Sequence, residues 1–340
     1  MANIAIQGDG VAAYCSAYLL KQAGNHVSLR QTNRSRVPAI MLSDAALELI
    51  REVFGRPDLL RRAHRIRKRV VAWGRNAVPT VLEHSAAVVA EQTLLETLMD
   101  GEDFDVERHE RDAAWRILAS RPVPKPAVVH RFGSRFASAV EVKVRDGFDF
   151  GSCWIESLEN GWLFLIPHSS ESAWLLSIGQ PAESLLDSSR MIAREITGVR
   201  GGQSSPFPSA PSIIAPLAGQ GMDGSGWLAC GTAAMGFDPI CGDGTAHAIR
   251  EGILAAAVVG AAAKGEKPGQ LVAHYSSRLI AGFSRHLKLC GNFYSCGHGG
   301  PWWDGELNKI TEGIEWCSEQ IPSAPGFQYQ LRGFELEARA

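Results

Sequence analysis

A pair of glycines follows a short apolar segment near the N-terminus. Gly8, Gly10 and Ala13 fit the pattern G-x-G-x-x-A, between a predicted strand at Asn3–Gln7 and a predicted helix at Val11–Gln22. The first glycine permits a tight turn, the second lets a pyrophosphate approach the backbone, and the alanine allows close helix packing. The helix N-terminus offers unpaired N–H groups to the same phosphates. The pattern predicts a dinucleotide site; the alternative is a tight strand-to-helix turn without a ligand.

The end of the second predicted strand carries a related signal. An acidic residue usually stands about 20 residues after the glycines and binds the adenosine ribose hydroxyls. Gln31 occupies this position, directly after Arg30. Gln31 can bind a ribose hydroxyl, but it lacks the charge-assisted hydrogen bond of a carboxylate. Arg30 would suit a 2′-phosphate, so NADP is one alternative for the ligand.

A second glycine-rich stretch, CGTAAMGFDPICGDGTAHAIREG, runs from Cys230 to Gly252. It lies between a strand-like segment, 226–230, and a helix-like segment, 246–263. Glycines in such a place keep side chains away from the backbone, so that its amides can lie against a bound group. The stretch therefore predicts a second contact with a ligand.

The order of this stretch, GTAA, then DP, then GDG, resembles the second FAD-binding motif of flavin-dependent aromatic monooxygenases and halogenases. The segment GWLFLIP is similar to the Trp-x-Trp-x-Ile-Pro signature of the halogenases, with Phe164 in place of the second Trp. Further segments occur in the order that this superfamily uses: RVPAIMLSDAALELIREVFG, VVAWG, VVAEQTLLETL, WIESLENGWLFLIP and HYSSRLIAGFSRHL. The resemblance covers most of the chain.

The resemblance implies that FAD is the cofactor. Thr232 would contact the ribityl chain, and Pro239 and the amides of 242–244 would lie against the isoalloxazine ring. The N-terminus of the following helix would stabilise negative charge on the reduced ring. The expected cofactor contacts of both motifs are Gly8, Gly10, Val11, Ala12, Ala13, Gln31, Met41, Leu42, Gly231, Thr232, Asp238, Pro239, Gly242, Asp243, Gly244 and Thr245.

The resemblance and the strand pattern predict an α/β fold, namely a Rossmann-like FAD-binding domain with an inserted antiparallel β-sheet substrate lobe and a helical C-terminus. Between Val128 and Ile178, repeated strand-like segments are separated by Gly, Asn, Ser and Glu, which is typical of an antiparallel sheet. The FAD-binding domain is expected at residues 1–100 and 206–265, the substrate lobe mainly at 101–205, and the helical segment at 266–340.

The resemblance implies a monooxygenase that hydroxylates an electron-rich aromatic ring through a flavin C4a-hydroperoxide. The short flavoproteins that mature tryptophylquinone-containing oxidases are similar in the GxAAxxxDPxxGxG form and in the segment VVAE at 88–91. This similarity implies hydroxylation of a tryptophan side chain in a partner protein, a quinoprotein precursor. The alternatives are a hydroxylase or halogenase of a small aromatic metabolite, and a non-catalytic FAD-binding protein.

Two departures from the superfamily bear on the reaction. The middle Asp-Gly motif, which helps NAD(P)H-using hydroxylases bind flavin and nicotinamide, is not recognisable, and HRFGSRFASAVEV stands near its place. We therefore expect a separate reductant or reductase. The halogenase lysine, eight residues before a strand-end Trp, corresponds to Arg65 when counted back from Trp73, and Lys68 is three residues out of place. Arginine stays protonated and substitutes poorly for an amine in halogen chemistry.

Candidate pocket and catalytic residues lie on the predicted sheet and around the second motif. The candidate pocket walls are Trp154, Trp162 and Phe164. The catalytic candidates are His168, Asp238 and Arg65. Simple sheet packing is the alternative for each aromatic residue, and a surface position at a strand end is the alternative for the histidine.

The composition indicates an ordinary globular protein. The chain has 340 residues, 45% hydrophobic content and a formal net charge of −2. This overall charge gives no indication of binding to nucleic acid or to an anionic membrane. The basic run RRAHRIRKR at 61–69 is interpreted as a solvated face, with a docking patch as the alternative. No apolar run approaches the ~18 to 20 residues that span a bilayer. The N-terminus shows no secretion signal, which indicates a cytoplasmic protein.

The seven cysteines are scattered and odd in number, which fits reduced thiols better than a disulfide framework. Cys290, Cys296 and His298 form the closest group of metal-ligand types. Their spacing matches no common zinc pattern, and a fourth ligand is not evident. We therefore expect no metal site.

Overall fold

A computed structural model describes residues 2–32, 34–104, 113–125, 127–201, 206–220, 225–321 and 328–339. The helices are α1 (Val11–Gln22), α2 (Asp44–Phe54), α3 (Glu91–Met99), α4 (Ala182–Ser188), α5 (Gly231–Ala234), α6 (Gly244–Ala263), α7 (Pro268–Ser295) and α8 (Pro301–Gln320). Short 3-10 helices lie at Ile192–Glu195 and Pro239–Cys241. The strands are β1 (Asn3–Gln7), β2 (His26–Arg30), β3 (Ile40–Ser43), β4 (His64–Ala72), β5 (Thr80–Val89), β6 (Trp115–Leu118), β7 (Val128–Arg131), β8 (Phe136–Val144), β9 (Ser152–Leu158), β10 (Gly161–Pro167), β11 (Ala173–Gly179), β12 (Ile196–Gly201), β13 (Phe207–Pro208), β14 (Ser212–Ala215), β15 (Ala218–Gln220), β16 (Gly226–Ala229), β17 (Met235–Gly236), β18 (Tyr329–Arg332) and β19 (Glu335–Ala338).

A five-stranded sheet has the order β15-β16-β6-β1-β2, in which β16, β6, β1 and β2 are parallel and β15 is antiparallel. Its inner strands are buried along almost their whole length, as expected where helices cover a parallel sheet. Helix α1 follows β1, and α6 comes after β16 and the short α5. The Rossmann-like part of the predicted α/β fold is confirmed.

A nine-stranded sheet has the order β12-β8-β11-β10-β9-β4-β5-β3, with β13 also paired to β8. Its neighbours are antiparallel except for β9 and β4, which are parallel. The predicted antiparallel sheet is confirmed for β8 to β11. The main hydrophobic core joins this sheet to the five-stranded sheet, and a smaller core lies on its other face, under α4.

The two sheets interleave along the sequence. Strand β6 pairs with β1 in the parallel sheet, although the expected boundaries place it in the substrate lobe. Strands β3, β4 and β5 belong to the nine-stranded sheet, although the boundaries place them in the FAD-binding domain. The apolar pattern of a segment predicts a strand and its buried face, but it does not identify the distant strand that pairs with it.

The C-terminal region contains α7 and α8, and the chain then forms a hairpin of β18 and β19. The buried face of α7 carries Leu271, Tyr275, Leu279, Phe283 and Leu287. Among the described residues, α6 alone is long and apolar enough to cross a membrane. Because 67% of its apolar window is buried in the protein, packing against α1 and α7 accounts for its composition.

Candidate functional site

The two glycine motifs meet in the structure. A Cβ atom added to Gly231 would lie 3.0 Å from Ala12 Cβ, and one added to Gly252 would lie 2.6 Å from Ala12 O. The Ser16 hydroxyl donates to the carbonyls of Ala12 and Gly252 and so joins α1 to α6. Both motifs therefore border one site, at the carboxyl ends of β1 and β16, where ligands bind in α/β sheets.

Gly8 makes the tight turn after β1. Its φ is 137°, and an added Cβ would lie 3.0 Å from Ala119 Cβ, so that a larger residue does not fit. Its amide donates to Arg30 O at 2.8 Å. Gly10 is the N-cap of α1 and has no side-chain cap, which leaves first-turn amides for a phosphate. The turn has the geometry that the sequence predicts.

Two arginines beside this turn were not anticipated from the sequence. Arg36 Nη2 lies 2.6 Å from Asp9 Oδ2, and Arg34 forms an ion pair with Glu91. A Cβ added to Gly10 would lie 3.2 Å from Arg34 Nη2, so a cation borders the expected pyrophosphate position. The segment VVAE at 88–91 could have indicated this arrangement, because its buried Glu91 accepts a hydrogen bond from Arg34.

The end of β2 agrees with a ribose site. Gln31 is exposed there, beside Thr32, whose hydroxyl donates to Asp9 Oδ1 at 3.1 Å. Arg30 Nη2 lies 2.5 Å from Gln7 Oε1. Gln31 therefore stands at the expected ribose position, whereas Arg30 is bound to β1 by a side chain of that strand.

The second motif exposes backbone at the start of α6. Thr232 is exposed, and its hydroxyl donates to a backbone carbonyl 3.3 Å away. Gly242 has a φ of 66°, and no heavy atom outside its neighbours lies within 4 Å of a Cβ added to Gly244. Asp243 is the N-cap of α6 but makes no side-chain cap bond. The first amides of α6 therefore lack a side-chain cap, and the space beside Gly244 is open, which suits the polar edge of a flat ring.

The other expected cofactor residues differ in burial. Met41 is half-buried and its Cε lies 3.9 Å from the Cβ position of Gly242, so the structure brings it to the second motif. Pro239 and Thr245 are also half-buried. Four side chains lie in the core and leave only backbone for a ligand; they are Val11, Ala12, Ala13 and Leu42.

Arg69 on β4 lies beside the second motif. Its Nη2 lies 3.9 Å from the Cβ position of Gly242 and 3.2 Å from His84 Nε2. Its guanidinium lies 5.9 Å from the ring centroid of Phe164. The buried Nε atom of Arg69 has no hydrogen-bond partner. A cationic donor therefore faces the expected isoalloxazine position.

The neighbours of Arg69 are neutral near pH 7. Burial, and then the positive charge of Arg69, lower the pKa of His84 below its ordinary value. Burial raises the pKa of the Cys153 thiol, and Arg69 opposes this effect only in part. Arg69 thus supplies positive charge to a cleft whose adjacent histidine and thiol are uncharged.

Arg69 was missed because it belongs to the basic run that the sequence interprets as a solvated face. Arg67 and Lys68 in this run are exposed, as that interpretation predicts. The register of β4 is irregular between Ile66 and Lys68, where the amides of Arg67 and Lys68 both donate to Gly151 O. Beyond this irregularity Arg69 faces the same core side as Ile66, which simple alternation along the strand does not predict.

Asp238 lies in a buried ion-pair network rather than in the cleft. Its Oδ2 accepts from Arg135 Nε at 2.8 Å and from Tyr294 OH at 3.0 Å, and its Oδ1 accepts from the Ile240 amide at 2.9 Å. Arg135 also pairs with Glu306. Because Asp238 is 1% exposed and both oxygens are occupied, this placement corrects the expectation of a catalytic or cofactor-binding side chain.

His168 and Arg65 make local contacts at the surface. His168 Nε2 lies 2.9 Å from Ser172 Oγ and 3.7 Å from Glu141 Oε1, and burial lowers its pKa. Arg65 Nη2 lies 2.5 Å from Asp44 Oδ1, with 37% of its side chain exposed. These contacts support the surface alternative for His168 and correct the catalytic expectation for Arg65.

The three expected pocket aromatics lie on two faces of the sheet. Trp154 packs in the smaller core, with its ring 4.4 Å from that of Phe148, so it faces away from the cleft and is not a pocket wall. Trp162 is fully buried and its Nε1 donates to Tyr294 OH at 3.2 Å. Phe164 is the one of the three that lies beside Arg69. Adjacent antiparallel strands set these faces, and the sequence did not give their register.

A polar cluster lies behind the second motif, between α6 and α7. The Sγ atoms of Cys241 and Cys290 are 3.7 Å apart, and Cys290 Sγ is 3.3 Å from His286 Nε2. Asp243 Oδ2 lies 3.0 Å from His247 Nε2, and Asp243 Oδ1 lies 4.0 Å from His286 Nδ1. A cavity of about 500 Å³ adjoins the cluster.

The cluster contains two groups whose ligand atoms lie within 4.8 Å of one another; they are Cys241, His286 and Cys290, and Asp243, His247 and His286. His286 Nε2 accepts from the Asp238 amide at 2.9 Å, so the neutral ring carries its proton on Nδ1. This ring then has no spare lone pair for a metal, which weighs against both groups. Of the three residues that the sequence grouped as candidate ligands, Cys290 belongs to the first of these groups, whereas Cys296 and His298 belong to neither.

No protein-family model and no curated protein sequence matches the chain. Solved structures with a similar fold do match it. The flavin-dependent halogenase CmlS has a TM-score of 0.76 at 14% identity, covering 94% of this chain and 71% of CmlS. The myxobacterial chondrochloren halogenase CndH, a variant of FAD-dependent halogenases, has a TM-score of 0.75 at 15% identity, covering 96% and 92%. The peptidyl tryptophan dihydroxylase QhpG, essential for tryptophylquinone cofactor biogenesis, has a TM-score of 0.68 at 18% identity, covering 90% and 78%.

The residues around the cleft fit FAD. Gly8 and Gly10 leave the N-terminus of α1 open to a pyrophosphate, and Gly244 leaves the N-terminus of α6 open to a ring. The Arg69 guanidinium adds a positive charge beside the second motif. The chain therefore has the fold of the FAD-dependent halogenases and flavin hydroxylases.

Proposed function

We propose that this protein is an FAD-dependent monooxygenase that hydroxylates an electron-rich aromatic ring. The observation that carries the proposal is the convergence at Gly242. There the second glycine motif, which touches the first through Gly231 and Ala12, lies opposite Arg69 and Phe164 of the nine-stranded sheet. Two elements that bind a dinucleotide and a third that faces its ring thus border one cleft.

The chain's own residues would act mainly by binding and orientation. The amides after Gly10 bind the pyrophosphate, and Arg34 adds positive charge there. The amides at the start of α6 and the Arg69 guanidinium stabilise negative charge on the polar edge of the reduced ring. FAD, when bound, supplies the activation of dioxygen. Phe164 shields the cleft from water on the side of the sheet.

We further propose that the aromatic ring belongs to a tryptophan side chain of a partner protein. This finer proposal is supported by the structural similarity to QhpG, at 18% identity, and by the role of the VVAE segment, whose glutamate anchors Arg34. A hydroxylase or halogenase of a small aromatic metabolite is the competing function, supported by the similarity to CmlS and CndH. Arg65 weighs against halogenation, because it is paired with Asp44 at the surface.

We also propose that electrons come from a separate reductase. The segment near the place of the nicotinamide-binding motif contains Arg135, which is fully buried and engaged by Asp238 and Glu306. Such a residue holds helix α8 to the second motif and is not free to bind a nicotinamide. A flavin reductase, or a chemical reductant in its place, is therefore part of the expected reaction.

The test begins with purified protein, whose FAD content is measured by absorbance and by release of the flavin. The flavin is then reduced, mixed with oxygen, and offered a tryptophan-containing peptide, a free indole or a phenol, with and without bromide. Mass analysis of each product is the readout. Oxygen added to the peptide supports the full proposal, and oxygen added only to a free aromatic supports the competing hydroxylase. Incorporated halogen, or protein without FAD, would overturn the proposed reaction.

A further inference from the structure

Cys241 and Cys290 form a thiol pair that the proposed reaction does not use. Their Sγ atoms are 3.7 Å apart, and both residues are free cysteines. Cys241 ends the 3-10 helix directly before Gly242, in the second flavin motif, whereas Cys290 lies on α7. The pair therefore joins the edge of the proposed flavin site to a neighbouring helix.

The surroundings make the two thiols unequal. The Cys290 thiol donates toward Cys241, and this hydrogen bond outweighs burial and lowers the pKa of Cys241 to about 7. The same hydrogen bond, together with burial, raises the pKa of Cys290. Cys241 is half-buried and Cys290 is buried. Cys241 is thus the thiol that ionises first and that a small molecule reaches first, and thiolates are the reactive form of cysteine.

Other charged groups around the pair raise or lower the pKa values of the two thiols. Asp243 opposes ionisation of Cys241, and Asp238 and Arg135 act in opposite senses on Cys290. His286 is fixed between them, because its Nε2 accepts from the Asp238 amide at 2.9 Å. The thiol pair therefore lies at the edge of the main hydrophobic core, but charged side chains and a histidine are close enough to act on both thiols.

We propose that Cys241 is a peroxide-reactive thiol and that Cys290 resolves it as a disulfide beside the flavin motif. In the first step the Cys241 thiolate attacks one oxygen of hydrogen peroxide and the O–O bond breaks. This leaves a sulfenic acid and a hydroxide, which takes up the proton released by Cys241 and becomes water. In the second step Cys290 Sγ attacks the sulfenic sulfur, the S–O bond breaks, and a second water leaves with the Cys290 proton. The two thiols together lose two electrons, and one peroxide is reduced to two waters.

Oxidation of the pair would move the backbone beside the second flavin motif. A disulfide requires an S–S distance of about 2.05 Å, so oxidation draws the turn before Gly242 toward α7 and displaces the start of α6. Hydrogen peroxide is the by-product of the proposed function whenever oxygen is reduced without transfer to a substrate. Of this inference, only the source of the peroxide rests on the proposed function. The chemistry of the pair does not depend on it.

The test uses the purified protein, with its flavin oxidised, and about one equivalent of hydrogen peroxide. Free thiols are counted after denaturation, and proteolytic peptides are analysed without reduction. We expect the loss of two thiols and a linked peptide containing Cys241 and Cys290. In Cys290→Ser we expect a sulfenic acid on Cys241, trapped by dimedone. Cys241→Ser should lose the reaction, and Cys296→Ser, which removes an exposed thiol, should behave as the wild type.

Reaction of Cys296 at the same rate as Cys241 would overturn the proposal, since we expect Cys241, with Cys290 beside it, to react at least about tenfold faster. Protection of both thiols by a stoichiometric zinc ion, found by metal analysis of the untreated protein, would also overturn it. Because peroxide is added from outside, a negative result with intact FAD binding counts against the thiol pair alone. Absence of FAD in the same sample counts against the proposed function alone.

Discussion

Gly231 and Glu251 are joined by a hydrogen bond, in which the Gly231 amide donates to Glu251 Oε2 at 2.6 Å. Glu251 is 4% exposed on α6, and its other carboxyl oxygen has no partner. Burial raises the pKa of Glu251 to about 8, against the opposing effect of this hydrogen bond. The second flavin motif is thus held to α6 by a carboxyl group that stays protonated through neutral pH.

The raised pKa predicts that stability falls with increasing pH. The folded state holds this proton more tightly than the unfolded chain does, so the stabilisation is full below the ordinary glutamate pKa and is lost as pH rises through about 8. Glu251→Gln keeps an acceptor for Gly231 but cannot ionise. Between about pH 6 and about pH 9, we expect the variant to gain on the order of 2 kcal/mol in free energy of unfolding relative to the wild type. Urea denaturation measures it, with exposed Glu312→Gln as the control; equal pH dependence in both proteins would contradict the prediction.

Gly8→Ala should lose FAD affinity. The new Cβ would lie 3.0 Å from Ala119 Cβ at a φ of 137°, and such strain costs about 1–3 kcal/mol. The strain falls on the turn that we propose binds the pyrophosphate, so we expect FAD to dissociate at least about tenfold more readily. Gly260→Ala is the matched control, because its Cβ would meet no atom within 4 Å and lies inside a helix. Flavin fluorescence titration measures both; equal affinities would refute the role of Gly8.

Arg69→Met should retain FAD but lose turnover. Arg69 Nη2 lies 3.9 Å from the Cβ position of Gly242, so the substitution removes the positive charge that we propose stabilises the reduced ring. We expect the rate of product formation to fall by about tenfold to a hundredfold. The flavin reduction potential should also fall, which a purely structural role would not produce. Arg67→Met, two residues away and exposed, is the control, and an equal loss in both variants would argue against a specific role.

Asp238→Asn should destabilise the protein without acting on the reaction directly. Arg135 would be left with one carboxylate fewer in a site where its side chain is 0% exposed, and breaking a buried pair costs about 3–5 kcal/mol. Asp44→Asn breaks the surface pair with Arg65 and should cost at most about 1 kcal/mol. Thermal unfolding compares the two variants. A stable Asp238→Asn protein with a large loss of turnover would restore the catalytic role that the structure corrects.

Local patterns were enough to predict the elements that bind the cofactor. Gly8 and Gly10 sit between an apolar strand and a helix, and Gly242 and Gly244 precede a long apolar helix. Backbone conformation at such turns depends on residues that are neighbours in sequence, so glycine spacing is informative. The apolar residues of α7 recur at four-residue intervals and form its buried face for the same reason.

The contacts between distant strands could not be predicted from the sequence. Trp154 and Phe164 have the same aromatic character, but the pairing of β9 with β10 places them on opposite faces of the sheet. Asp238 follows a flavin motif in sequence, but Arg135 and Glu306 draw its side chain into the core. Arg69 is one of several basic residues, and only the irregular register of β4 selects it for the cleft.

A two-motif dinucleotide site in an α/β chain can be predicted from the sequence, because both motifs are local in sequence and their glycines serve the backbone. Which side chains face that site depends on the packing of distant elements. A buried charged side chain needs a partner that offsets the cost of burial, and that partner can be distant in sequence, as Arg135 and Glu306 are, 171 residues apart. The positions of Arg69 and of the Cys241–Cys290 thiol pair therefore follow from tertiary packing and could not be predicted from the sequence motifs.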